Sequence, residues 1–245
     1  MRSRWKKIVG AVLLLIALVV GGSWFYTKVI NKAPAKLAPT DLIAALEATP
    51  SISSTDSSSA QASTPTTPGQ PPRGINGVWH PLSTSLIRYR VSESINGFDT
   101  TAVGETNHIS GSLTIDANNV RGAGLTVDMT TFHSPESRRD SQFNGRVMDV
   151  KTFPTATFNI TQPIQLPSVP ADGTTVTATA TGDLTMHGTT KSITLDLQAT
   201  TENGKIGIIG TIPIVFADYG IPNPSIATVT TADHGELEFI VVFGH

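Results

Sequence analysis

The sequence predicts an all-β domain built as an eight-stranded antiparallel up-and-down barrel with a short helical excursion. One N-terminal transmembrane helix and a disordered stalk precede it. Three observations predict this. Apolar and polar residues alternate with period two in about eight runs, hairpin dipeptides separate the runs, and aromatics are only 6% while Thr, Ser and Gly are plentiful. Period-two alternation puts one apolar face inward and one polar face in water, as an antiparallel sheet requires.

The N-terminal element is read from charge and hydropathy. Arg2, Arg4, Lys6 and Lys7 precede an apolar run from Ile8 to Tyr26, whose centre, Val12 to Val20, holds only aliphatic residues and alanine. A run of ~20 such residues spans a bilayer as a helix. Trp5, Trp24 and Tyr26 flank it, where amphipathic rings favour the interface. The expected arrangement is residues 1–30 as a cytoplasmic stub and cell-membrane anchor, with the remainder extracytoplasmic. A cleaved signal peptide is the competing reading, with Ala33-Pro34-Ala35 as its small-residue site.

Residues 31–72 read as a linker. Between Thr49 and Pro72 there are seven Ser, five Thr and five Pro in 24 residues. Such a composition buries too little apolar surface to offset backbone entropy. Asp41 to Ala48 could form two helical turns, expected only as a transient helix beside the membrane.

Residues 73–245 form the barrel domain. Strands are expected near 85–93, 102–115, 123–131, 155–162, 174–186, 190–200, 205–216 and 235–243. Ile87, Tyr89 and Val91 alternate with Arg88, Arg90 and Ser92, and Leu237, Phe239, Val241 and Phe243 end the series. Asn96-Gly97, Asp172-Gly173 and Asn203-Gly204 are hairpin dipeptides. Ser134-Pro135-Glu136 looks like a helix start with Ser134 as cap, and 136–150 the short helical excursion, ended by Pro154. Eight hairpin-linked strands suggest a closed barrel, filled by side chains or holding one small ligand. An immunoglobulin-like sandwich is the alternative.

Composition and motifs exclude much. The 17 Lys/Arg and 19 Asp/Glu are unevenly spread: seven basic residues and no acid lie in the first 36, while Arg73 onward has ten basic and sixteen acidic. An acidic domain argues against nucleic acid as a partner. Zero cysteine removes disulfides, thiolate metal sites and a cysteine nucleophile. There is no GxSxG, no phosphate-binding glycine loop and no HExxH. No two of the six histidines have metal-ligand spacing. No enzymatic activity, cofactor or metal is expected.

Three segments remain. Arg138-Arg139-Asp140 could bind an anion or pin the excursion to the barrel. Gly182 to Gly188 is a strand running into a tight turn that carries His187. Phe216 to Ser225 is a Pro-rich corner. With Phe153-Pro154-Thr155-Ala156-Thr157-Phe158, the Arg139-Asp140 pair, Gly182 to Leu195 (GDLTMHGTTKSITL) and Asp218-Tyr219-Gly220, the chain resembles the YceI-like, polyisoprenoid-binding family.

That resemblance implies a lipocalin-like barrel binding an isoprenoid lipid or quinone outside the cytoplasmic membrane. Many members carry a basic residue before the D-aromatic-G segment, where this chain has Phe216-Ala217, so an uncharged or quinone-like head is as plausible as a pyrophosphate. The expected lining is Ile87, Tyr89, Val91, Leu125, Val127, Met129, Phe158, Ile160, Leu195, Leu197, Phe239 and Val241. Phe143, Val147 and Met148 are expected as a lid, and Arg139 and His187 at a headgroup. The alternative function is a structural or interaction domain whose barrel is filled by its own side chains.

Overall fold

The computed structural model describes residues 21–22, 32–48, 74–166 and 170–245. Most of the expected transmembrane run and all of the Ser/Thr/Pro tract from Thr49 to Pro72 lie outside the described residues. Among the described residues no helix is long and apolar enough to cross a membrane.

The strands are β1 (Gly77–Pro81), β2 (Leu86–Ile95), β3 (Phe98–Thr106), β4 (Ile109–Asp116), β5 (Asn119–Asp128), β6 (Thr155–Ile160), β7 (Ile164–Gln165), β8 (Thr175–Met186), β9 (Thr189–Glu202), β10 (Lys205–Val215), β11 (Val229–Thr231) and β12 (His234–Gly244). All described pairings are antiparallel. β1 and β2 act as one bent strand, since both pair with β12. β3 and β4 form its neighbour, β3 pairing with β2 and β4 with β1. The wall then runs β4, β5, β6, β8, β9, β10, β12 and closes on β1. Counted this way, the barrel is eight-stranded with next-neighbour connections.

Local chemistry explains where the sequence reading and the strands differ. The expected strand 102–115 is broken at Asn107-His108. There the Asp128 amide donates to the His108 carbonyl (3.1 Å), and Glu105 exchanges backbone bonds with His133. β5 ends at Asp128, whose carboxylate caps the turn Met129–Thr131 by accepting from the Thr130 amide (2.9 Å). Of the expected hairpin dipeptides, Asn96-Gly97 and Asn203-Gly204 hold positive φ at both positions, as type I′ hairpins need. At Asp172-Gly173 only the glycine does, in a turn closed by the Thr174 amide on the Ala171 carbonyl (2.9 Å). His187-Gly188 makes a further turn with both φ positive.

The helical excursion begins later than its sequence suggested. Helix α2 spans Ser137–Gln142 and continues as a π-helical turn, Phe143–Val147. Ser134 does not cap it. Its hydroxyl accepts from the Glu136 amide (3.2 Å) and donates to Asp140 Oδ1 (2.7 Å). Arg139 reaches Glu93 on β2 (2.9 Å), so the Arg-Asp pair fastens the excursion at both sides.

Residues 32–48, expected within the linker, lie along the outer barrel wall. Helix α1 (Pro39–Glu47) buries Leu42 and Leu46 against Ile209, Ile240 and Val242. Each such leucine contributes about 1.5–3 kcal/mol. A Cβ on Gly207 would stand 2.6 Å from Leu42 Cδ1, so the groove needs a glycine there. Lys205 Nζ donates to the carbonyls of Leu46 (2.6 Å) and Ala48 (2.8 Å), satisfying the helix's C-terminal end.

Candidate functional site

Inward side chains enclose two apolar chambers set end to end. The lower has a volume of about 160 Å³, the size at which an apolar cavity of about 150 Å³ stays dry and accepts a hydrophobic guest. Ile87, Leu125, Val127, Met129, Phe158 and Ile160 line it, as do Leu195, Leu197, Phe239 and Val241. The upper chamber, about 490 Å³, lies under the excursion and the Pro-rich corner. Tyr89, Val91, Phe143, Val147 and Met148 line it together with Arg139. Met129, Phe132, Met186 and Leu237 border both chambers. All fifteen predicted lining and lid residues therefore face one or other of these adjoining chambers.

Two features keep the chambers open. Small residues, Ala123, Ala156, Ala178, Ala180 and Ala199, line part of the lower chamber. Several rings also lie flat against neighbouring glycines instead of filling the lumen. A Cβ on Gly104 would come within 2.5 Å of the Tyr89 ring, and one on Gly210 within 2.5 Å of the Phe239 ring. These glycines sit directly across the ladder from Tyr89 and Phe239.

The waist is aromatic. Tyr89 stacks on Phe143 with ring centres 5.0 Å apart and planes 10° apart, and Phe132 stands 5.2 Å from Phe143. Burial pushes the Tyr89 hydroxyl well above its ordinary range, partly opposed by the Arg139 cation, so it stays neutral at physiological pH. Arg139 and Glu93 form a largely buried ion pair (side chains 16% and 9% exposed). The guanidinium at the mouth is thus already matched by a carboxylate.

His187 lines neither chamber. It occupies the β8–β9 turn at positive φ (+50°), its Nδ1 lies 3.2 Å from the Tyr219 carbonyl, and its ring packs on Phe153 at 4.6 Å. A Cβ on Gly188 would meet that same Phe153 ring at 2.6 Å. The segments 153–158, 182–195 and 218–220 converge here, and the contact holds the corner onto the barrel end. His187 is a fastening residue in this geometry.

Sequence reasoning missed other lining residues. Leu184 and Met186 alternate along β8, Ile206, Ile208 and Ile212 along β10, and Leu113 and Ile115 along β4. Period-two alternation was the available signal for each. Phe132 follows the break after β5 and had none. Among the described residues no group of three or more His, Asp or Glu could hold a metal ion.

The sequence profile of the YceI-like domain matches residues 81–243. The chain belongs to the YceI-like family. It is 30% identical over 164 residues to a UPF0312 protein of Vibrio campbellii, covering 62% of this chain and 82% of that one. It is 29% identical over 128 residues to a UPF0312 protein of Vibrio parahaemolyticus, covering 49% of this chain. The match spans 64% of the length of that second relative.

Two solved structures share the fold. BcnA of Burkholderia cenocepacia superposes with a TM-score of 0.52 at 22% identity, over 65% of this chain and 96% of that one. A polyisoprenoid binding domain from Saccharophagus degradans, implicated in plant cell wall breakdown, gives 0.55 at 14% identity, over 68% and 97%. In this chain the β8–β9 turn and the 218–220 segment meet at the mouth end, while the two chambers are lined mainly by strand positions away from them.

Proposed function

We propose that this YceI-like protein binds an isoprenoid lipid or quinone in its barrel, outside the cytoplasmic membrane, held there by its N-terminal segment. It acts as a sequestering or carrying protein and not as an enzyme. The observation that carries the reading is the lower chamber, lined almost wholly by aliphatic and aromatic side chains, and its neighbour the upper chamber, where apolar residues are joined by charged ones such as Glu93, Arg138, Arg139 and Glu236. A chain of CH₂ groups moved from water into such chambers gains about 0.8 kcal/mol per group, reduced by the ordering costs of binding. Met129 and Met186 at the waist are unbranched and adapt to an extended guest. The matched Arg139–Glu93 pair favours an uncharged head over a pyrophosphate, which would have to compete with Glu93. The polyisoprenoid binding named for the Saccharophagus degradans domain is in keeping with this.

Native mass spectrometry of the full chain, purified with a membrane lipid extract, tests the reading. A defined added mass matching an isoprenoid is expected. Val127→Trp, which fills the lower chamber, should abolish that mass while circular dichroism still reports a folded barrel. A folded wild-type protein that takes up no lipid would favour a structural domain instead.

A further inference from the structure

We infer that residues 32–48 clasp the barrel so that its mouth, and not its far end, faces the bilayer surface. This rests on the proposed membrane anchor at Ile8–Tyr26. The clasp runs from mouth to foot. At its start, Lys32 and Ala33 border one cleft with Ser92, Glu93 and Ser94 of β2, and Glu93 also lines the upper chamber. The Arg90 guanidinium then donates to the carbonyls of Pro34 (2.9 Å) and Ala35 (3.0 Å). Lys36 pairs with Glu236, another residue of the upper chamber. At its end, α1 delivers Leu46 and Ala48 to Lys205, beside the β9–β10 turn at the foot.

Chain reach turns this path into an orientation. From Tyr26 to Lys32 is six Cα steps, at most about 20 Å fully extended. Without the clasp, residues 31–72 could extend to about 140 Å, and the barrel would turn freely. With it, Lys32, only six residues beyond Tyr26, is fixed at the mouth, so the mouth is the part the anchor holds nearest the membrane. The Ser/Thr/Pro tract then has a different role from a spacer. Its flanking residues, Ala48 beside Lys205 and Gly74 just before β1, both belong to the foot.

Part of the exposed surface points the same way. Among the described residues, the large apolar side chains with the most exposure are Val78 (48%), Val215 (47%) and Ile226 (51%). Val215 ends β10 at the mouth and Ile226 lines the upper chamber, whereas Val78 lies on β1 near the foot. Exposed Arg138 and Arg146 stand at the same end. Apolar side chains beside guanidinium groups suit a lipid interface.

The absence of cysteine makes single-thiol labelling clean. The full chain carrying Ile226→Cys at the mouth, or Asp172→Cys at the foot, is labelled with a fluorophore. It is reconstituted in phosphatidylcholine–phosphatidylglycerol vesicles containing a doxyl-lipid quencher. Quenching several-fold stronger at position 226 is expected. Leu42→Asp/Leu46→Asp, or Gly207→Leu filling the groove from the barrel side, should erase the difference. Equal or reversed quenching in protein that floats with the vesicles overturns the orientation alone. Protein that does not float overturns the anchor and the orientation with it. Lipid retained by the same samples, measured by extraction, reports on the proposed lipid binding separately. If the release variants unfold, the wild-type comparison decides.

Discussion

Glycines on one strand determine how much room the aromatics on the next leave inside the barrel. Phe239 lies flat because Gly210, directly opposite, offers no Cβ to hold the ring away from the wall. Gly210→Val should rotate that ring into the lower chamber. Stability should change by about 1–3 kcal/mol, the usual cost of overpacking, while isoprenoid uptake falls more steeply than stability does. Urea unfolding beside a lipid-uptake titration separates the two; uptake unchanged in a folded variant would mean that the ring has another place to go. The sequence shows Phe239 and Gly210 plainly but not their juxtaposition, because register across a ladder is a long-range property. His187 shows the same limit. Its turn was legible from Met186-His187-Gly188, whereas its bond to the Tyr219 carbonyl depends on where the Pro-rich corner folds back.

At the scale of elements, the strands were legible because alternation reports one wet face and one dry face. The last strand carried a further signal. Its run Phe239-Ile240-Val241-Val242-Phe243 is apolar on both faces, which means that both faces are covered. Ile240 and Val242 point outward and are covered by α1. The Ser/Thr/Pro composition nearby drew residues 32–48 into the linker reading and hid that partner. Outward on the same strand, Glu238 is 1% exposed and accepts from Arg90 Nε at 3.2 Å. Breaking a buried pair from one side strands the other charge. Glu238→Leu should therefore cost about 3 kcal/mol, the low end for such pairs because Arg90 keeps the Pro34 and Ala35 carbonyls. Glu238→Leu with Arg90→Met should recover most of that loss. Chemical denaturation of the two variants checks it, and a double variant no more stable than the single would locate the cost elsewhere.

For the whole molecule, closure and emptiness are linked. Eight strands make a barrel just wide enough for its own side chains or for one slender guest. Alanines on one wall and flattened rings on others leave space for the guest. Strand count was readable from the sequence because each hairpin is local; the residual volume was not, since it depends on every inward side chain together. A barrel built this way forgoes packing that a filled core would have, and a bound lipid supplies it. Ligand that binds only the folded state stabilises by RT ln(1 + [L]/Kd), about 2.7 kcal/mol at a hundredfold excess over Kd. For a domain of this size that corresponds to a rise in Tm of about 5–10 °C. Calorimetry of the delipidated full chain, before and after reloading with polyprenol or a long-chain quinone, should show the rise. The Val127→Trp variant, its lower chamber already occupied, should melt at a temperature that lipid does not move. An equal rise in that variant would place the lipid outside the lower chamber.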